Sequence, residues 1–234
     1  MKIKNKIKII LGALFVFLLV SVFFEGETVF ASLDTDNDGY SDEEEIRAGY
    51  SPYNKDRIKS GLSDVDGDGV SDYFEYLYKT NPFSPDTDDD GYSDFLEIDN
   101  AFNPLSNKPE KLSVRTEINL DKQTMSFFVA SIKWREFKVS TGKPSMPTPT
   151  GEFRVTSKIE NAWSRTYGLW MPFWLGLDRG GIGIHELPVW PGGYREGENH
   201  LGQAVSHGCI RLGVGAAQYI YNHLQIGDMV VIKP

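Results

Sequence analysis

Three times in its first half the chain repeats a ladder of carboxylates that repel one another wherever they converge without a cation between them. Asp34, Asp36 and Asp38 alternate up to Gly39, and Asp42 and Glu45 follow at the ninth and twelfth places of the run. The same spacing recurs as Asp64, Asp66, Asp68, Gly69, Asp72 and Glu75, and again as Asp86, Asp88, Asp90, Gly91, Asp94 and Glu97. Alternate acids at the first, third and fifth places converge on one point, glycine permits the sharp bend, and the closing glutamate supplies two more oxygens; this is ligand chemistry for a hard divalent cation. The carbonyls of Tyr40, Val70 and Tyr92 would fill the seventh place, with Asp42, Asp72 and Asp94 ligating directly or through water at the ninth. Residues 32–110 hold 21 acidic side chains against 6 basic ones. Metal-free, the segment repels itself.

The ladders have the D-x-D-x-D-G-x5-E form of an EF-hand loop, but paired EF-hands do not fit. Residues 76–85 are too few for an exiting helix, a linker and an entering helix. Each closing glutamate is instead followed seven residues later by proline, at Pro52, Pro82 and Pro104, which reads as loop, short helix, stop. This pattern resembles the thrombospondin type 3 repeats of exported bacterial proteins. The resemblance implies structural Ca2+, bound at about 0.1–1 mM as in extracellular modules.

The chain opens on Met1 to Lys8, which alternates Lys with Ile or Asn, followed by an uncharged, largely apolar run from Ile9 to Phe24. That run is short of the roughly 20 residues that span a bilayer but suits the core of an export signal. Val29-Phe30-Ala31 offers a cut after Ala31. Residues 1–31 are thus expected to be a signal peptide, or a signal anchor holding the protein to the cytoplasmic membrane through residues 9–24. The expected location is extracytoplasmic, as a secreted, cell-wall or periplasmic protein. The overall charge is -9, and no dense basic face exists for nucleic acid.

Residues 113–233 read as a separate, mainly β domain. Short β-branched and aromatic runs lie at Val114–Leu120, Thr124–Val129, Trp134–Ser140, Phe153–Ser157, Ile182–His185 and Met229–Lys233, with turns at 121–123 and 131–133. One helix, Gly215–Leu224, places Ala216, Tyr219, Ile220 and Leu224 on a face. The expected fold is a β-sandwich, or on the residues alone a sandwich or barrel, with one or two short helices. The repeat region and a hydrophobic signal helix precede it.

Cys209 is the chain's one cysteine, and an unpaired thiol outside the cytoplasm needs a reason. It stands in Ser206-His207-Gly208-Cys209-Ile210-Arg211, with His185 upstream in Gly183-Ile184-His185-Glu186. Imidazole can activate a thiol, and Gly208 allows a substrate close to the backbone. Trp163, Trp170, Trp174 and Trp190 flank His185 in sequence; His200 reads as loop structure and His223 as a surface residue.

His185 with Ser206-His207-Gly208-Cys209 resembles the active-site signature of the L,D-transpeptidases, which cross-link peptidoglycan. The likeness extends to Val139–Pro144, Thr148–Phe153, Arg211-Leu212 and Gly227–Val230. It implies that Cys209 is the nucleophile, His185 the base, and the amides of Gly208 and Cys209, with His207, an oxyanion hole. Ser206 and Arg211 would contact substrate, Arg211 by holding a carboxylate, and Glu186 would orient the imidazole. The implied reaction needs no catalytic cofactor. A tetrapeptide stem loses its D-Ala to form a thioester, and an amine of another stem or of a wall-anchored protein resolves it. Water as acceptor would make an L,D-carboxypeptidase. A calcium-dependent wall-binding protein without catalysis is the remaining reading. The long stretch between His185 and Ser206, with Pro191-Gly192-Gly193, suggests an extended loop over the site.

Millimolar calcium should protect residues 32–110 from limited proteolysis, and Asp38→Ala should expose the first ladder selectively. An identical digest with and without calcium would reduce the ladders to an acidic spacer.

Overall fold

The computed structural model describes residues 33–178 and 181–234; the proposed signal segment lies outside them. Among the described residues, no helix is long and apolar enough to cross a membrane.

Each carboxylate ladder runs into a short helix: α1 (Asp42–Ala48), α2 (Asp72–Tyr78) and α3 (Asp94–Asp99). A serine precedes each in extended conformation, and the Ser41 and Ser93 hydroxyls cap the amides of Glu44 and Leu96. Ser41 and Glu44 complete a capping box. These caps satisfy donors the helix itself cannot. α1 ends at Gly49 and α2 at Lys79, both in the left-handed region, ahead of the proline stops.

The described residues that follow form eight strands: β1 (Val114–Asn119), β2 (Thr124–Val129), β3 (Ile132–Ser140), β4 (Gly151–Ser164), β5 (Leu169–Leu177), β6 (Gly183–Glu186), β7 (Ile210–Leu212) and β8 (Met229–Lys233), with α4 (Ala216–His223) between β7 and β8. They close into a barrel in the order β1-β2-β3-β7-β6-β5-β4-β8. The expected sandwich is therefore corrected. Alternating burial, as in Met125, Phe127 and Val129 of β2, looks the same in both architectures. What closes the barrel is β8, which pairs parallel to β1 on one edge and antiparallel to β4 on the other.

Two strands escape the sequence reading. β5 carries Pro172 and Gly176, both signals against a strand, yet Pro172 stands opposite Asn161 and Gly176 opposite Ser157 in the β4–β5 ladder. β7 is three residues long. The β2–β3 turn is tighter than expected: Ala130 and Ser131 both take positive φ, 48° and 72°, and Val129 pairs with Ile132. Inside, Ile118, Met125, Phe127, Val139, Leu175, Ile210, Leu212 and Val230 are fully buried, and Ile220 and Leu224 of α4 join the same cluster.

The repeats are no free spacer. Val70, Tyr78, Ile98 and Ala101 belong to the barrel's own core cluster. Trp134 of β3 sits among Phe74, Tyr78 and Phe95 at ring-centroid distances of 5.0, 6.0 and 5.9 Å, and the Tyr78 hydroxyl donates to the Val129 carbonyl. Asp99, at the end of α3, is the polar clasp. Its Oδ1 accepts from Trp134 Nε1 at 2.9 Å and lies 2.6 Å from Arg135 Nη2. It also accepts the Tyr219 hydroxyl at 3.1 Å. These donors hold the Asp99 carboxyl below its usual range against the opposing effect of burial. His223, read above as a surface residue, is half-buried, with Nε2 2.6 Å from the Asp99 carbonyl.

Asp99→Ala strands the donors of Trp134 and Arg135, and should cost about 2 kcal/mol, the order of a charge-assisted hydrogen bond. A lower thermal midpoint with faster cleavage near residues 100–112 would report it; unchanged values would mean that the aromatic contacts alone hold the repeats.

Candidate active site

β6 and β7 are neighbouring parallel strands, and their register sets His185 opposite Arg211. Parallel partners point to the same face of a sheet, so imidazole and guanidinium stand side by side, with Cys209 one residue before β7. These three residues line one cavity of about 350 Å³ with Trp174, Trp190 and His207.

Each side chain is set by local contacts. His185 is buried, and its Nδ1 lies 2.6 Å from the Glu186 carbonyl. A carbonyl accepts, so Nδ1 carries the proton and Nε2 keeps a lone pair. The Trp174 ring stacks against the imidazole at 5.9 Å. Burial, then the neighbouring Arg211 charge, pulls the His185 pKa from 6.5 down to about 3, leaving a neutral base at neutral pH. Burial pushes the Cys209 thiol up, while a hydrogen bond from the Gly183 N–H and the Arg211 charge act against that rise. Gly183 has no alternative: a Cβ there would lie 2.6 Å from the Leu175 carbonyl and from the Trp174 ring.

The loop before Cys209 is held from inside and outside. Ser206 Oγ donates to the Cys209 carbonyl at 2.6 Å and accepts the Gly208 amide at 3.1 Å. The Gly208 amide is thus consumed, which removes it from the expected oxyanion hole; Ser206, expected at the substrate, is a fully buried staple. Gly208 takes φ +111°, a region that favours glycine. Thr148 Oγ1 accepts the Gly142 amide and donates to the Gly208 carbonyl, both at 2.8 Å, so Thr141–Thr148 clamps the nucleophile loop. His207 is exposed and stacks on Tyr167 at 4.8 Å; burial, then Lys143 and Arg211, lowers its pKa.

Glu186 orients His185 through its carbonyl, and its side chain instead pairs with Arg195. Arg211 Nη1 donates to Glu196 Oε1 at 2.7 Å. Neither Arg195 nor Glu196 stands out in the sequence, because an ion pair across a loop leaves no local spacing. Trp163 and Trp170 pack on each other at 4.8 Å on the β4–β5 hairpin.

The ladders form a second kind of site. One oxygen each from Asp34, Asp36 and Asp38 lies within 4.8 Å of the others, and Asp64, Asp66 and Asp68, and Asp86, Asp88 and Asp90, do the same. Both carboxylate oxygens of Glu45 and Glu75, Glu97 Oε2, and the Oδ2 atoms of Asp36, Asp66 and Asp88 are buried without a hydrogen-bond partner. Burial, then the third-place aspartate, raises Glu45 to about 7, Glu75 to about 8 and Glu97 to about 7. Such orphaned oxygens fit a divalent cation.

The ninth-place aspartates are different. Both oxygens of Asp42 and of Asp94 accept the amide and hydroxyl of Thr35 and Thr87. Asp72 accepts from the Val65 amide and the Ser51 hydroxyl. These bonds close each loop onto its own second residue, and each carboxylate oxygen keeps a second acceptor site for the expected ligand role.

Residues 113–232 match the family of the L,D-transpeptidase catalytic domain, and residues 34–49 and 64–85 the bacterial TSP3 repeat. YqjB of Bacillus subtilis, which carries an L,D-transpeptidase name, is 33% identical over 109 residues, 41% of this chain and 57% of its own length. L,D-transpeptidase 1 of Mycobacterium tuberculosis is 32% identical over 111 residues, 42% of this chain and 41% of its own. The chain thus spans about two fifths to under three fifths of these relatives. A solved L,D-transpeptidase from Mycobacterium smegmatis has a TM-score of 0.46 and 26% identity over 53% of this chain and 60% of its own.

Between pH 6.5 and about 3 the unfolded chain protonates His185 while the folded one does not. Its contribution to stability is therefore complete above pH 6.5 and is lost as pH falls toward 3. Calcium-saturated wild type should lose denaturation midpoint over that window more steeply than His185→Asn; parallel profiles would contradict a buried neutral imidazole.

Proposed function

The chain belongs to the L,D-transpeptidase catalytic domain family, and from that premise we propose that it is an exported enzyme acylating Cys209 with a peptidoglycan stem peptide and passing the acyl group to an amine. The observation that carries the reading is the shared cavity, which His185, its Nδ1 turned to the Glu186 carbonyl, lines together with the Cys209 thiol. In a dry site a neutral pair costs less than thiolate and imidazolium, so deprotonation is coupled to attack.

Cys209 Sγ attacks the carbonyl of the stem's third residue while its proton passes to His185 Nε2. The Cys209 and His207 amides, not that of Gly208, face the developing oxyanion. Collapse breaks the amide bond, and the imidazolium protonates the departing D-Ala amine. An acceptor amine then gives its proton to His185 and attacks the thioester, and the thiol is regenerated. Dividing the transfer replaces one hard amide exchange by two easier acyl steps. Arg211 binds a substrate carboxylate. A side-chain amine of another stem gives a 3-3 cross-link, and a protein lysine gives an anchored protein.

The ladders hold one Ca2+ each, through the first, third and fifth aspartates and the closing glutamate, and the ions stiffen a module docked on the barrel. Residues 1–31 direct export, and calcium outside the cell fills the loops.

Incubation with a disaccharide tetrapeptide and an acceptor amine should release D-Ala and yield a conjugate, and Cys209→Ala should lower the rate at least about a thousandfold. A carbapenem should add its mass to Cys209. Tripeptide alone as product would make the enzyme a carboxypeptidase. No product and no adduct would overturn the reading.

A further inference from the structure

The segment joining β6 to β7 makes a tight excursion and returns. The Leu187 amide bonds the Leu212 carbonyl, Val189 bridges both Trp170 and Arg195, and the Glu196 amide bonds the Pro188 carbonyl at 3.0 Å. The returning end brings two adjacent, oppositely charged residues onto two neighbouring strands. Arg195 meets Glu186 of β6, and Glu196 meets Arg211 of β7.

The second pair is the more enclosed. The side chains of Arg211 and Glu196 are 11% and 8% exposed, and burying both without exact placement would be costly. A single bond, Nη1 to Oε1, joins the pair, and Arg211 Nε and Glu196 Oε2 are buried without hydrogen-bond partners, so that bond is what holds the enclosed guanidinium. His200 Nδ1 also lies 2.5 Å from Glu196 Oε1. On its other side Arg211 faces His185 by strand register, and it lines the cavity with Cys209 and His207.

We propose that Glu196 is a positioning residue for the reaction: it fixes the Arg211 guanidinium against the Cys209–His185 pair, so that a permanent positive charge stands where the thiolate and the substrate carboxylate must be stabilised. The groups around that charge are Glu196 and His200 on the loop, His185 on β6, and Cys209 and His207 before β7. Lys143, on the clamp, acts electrostatically on His207. Released from Glu196, the guanidinium is free to swing out of the cavity toward water, and the thiolate loses that cation. The inference uses the transpeptidase reading only in taking Cys209 as the reactive group.

The test therefore follows the thiol itself. Alkylation of Cys209 by iodoacetamide would be timed across pH on the full calcium-loaded chain, in parallel with carbapenem acylation, for wild type, Glu196→Gln, Arg211→Ala and the double variant. Glu196→Gln should move the alkylation midpoint upward by about one pH unit and slow reaction at pH 7 by about tenfold, since reactivity follows the thiolate fraction. Arg211→Ala should do the same, and the double variant should be no slower than Arg211→Ala alone, because Glu196 acts through Arg211. Glu196→Asp, which keeps the charge, should hold the midpoint near wild type; if the Gln variant does not fold, Glu196→Ala carries the comparison, where a midpoint above wild type supports the proposal and an unmoved one overturns it. Single effects that multiply in the double variant, or an unmoved midpoint in a folded Gln variant, would overturn it. Failure to release D-Ala with these shifts intact would instead count against the transpeptidase reading alone.

Discussion

The parallel pairing of β6 with β7 is the constraint on which the catalytic half depends. It sets His185 beside Arg211 and delivers Cys209 at the strand's entrance. Because β6 has four residues and β7 three, the pair cannot hold itself in place. β5 and β3 flank it inside the closed barrel, α4 packs over it, and the Thr141–Thr148 clamp fixes the loop between Ser206 and Gly208. Burial then acts on both groups: the same dry environment that keeps the imidazole neutral pushes the thiol pKa up.

The repeats face the opposite electrostatic problem. Their oxygens are collected at the cost of strong mutual repulsion, and the orphaned atoms of Glu45, Glu75 and Glu97 mark where a cation would repay it. The docking through Trp134 and Asp99 makes that local balance matter to the barrel. Val70 and Ile98 are fully buried in the core cluster that also contains Phe127 and Ile220, so a loop that opens removes apolar cover from the barrel.

Much of this was legible in the chain. β2 and β8 have the bounds that their β-branched and aromatic runs predict, because strand preference is written into adjacent residues. The short helices after the ladders were legible through their proline stops, whereas the capping serines came into view only with the structure. β5 was not legible, since Pro172 and Gly176 argue against a strand until β4 and β6 are seen to accept them. The ninth-place aspartates carry the right spacing for ligands, and their oxygens also close the loop; acceptor and ligand are the same chemical group, and spacing does not distinguish the partner. The Gly208 amide was lost to Ser206 in the same way. Glu196, far from any motif, became visible only once a buried guanidinium had to be answered.

By itself the sequence determined the parts: three carboxylate ladders, a mainly β domain, and a thiol with a histidine and an arginine in a recognisable order. Those follow from local spacing, which survives without coordinates. Tertiary structure alone decided that the sheet closes, that the repeats dock on it through Asp99, which amide of the nucleophile loop is spent, and which carboxylate steadies Arg211. Each of these is a choice of partner among groups distant in sequence, and partner choice is made by burial, where an unpaired charge or donor is too costly to leave.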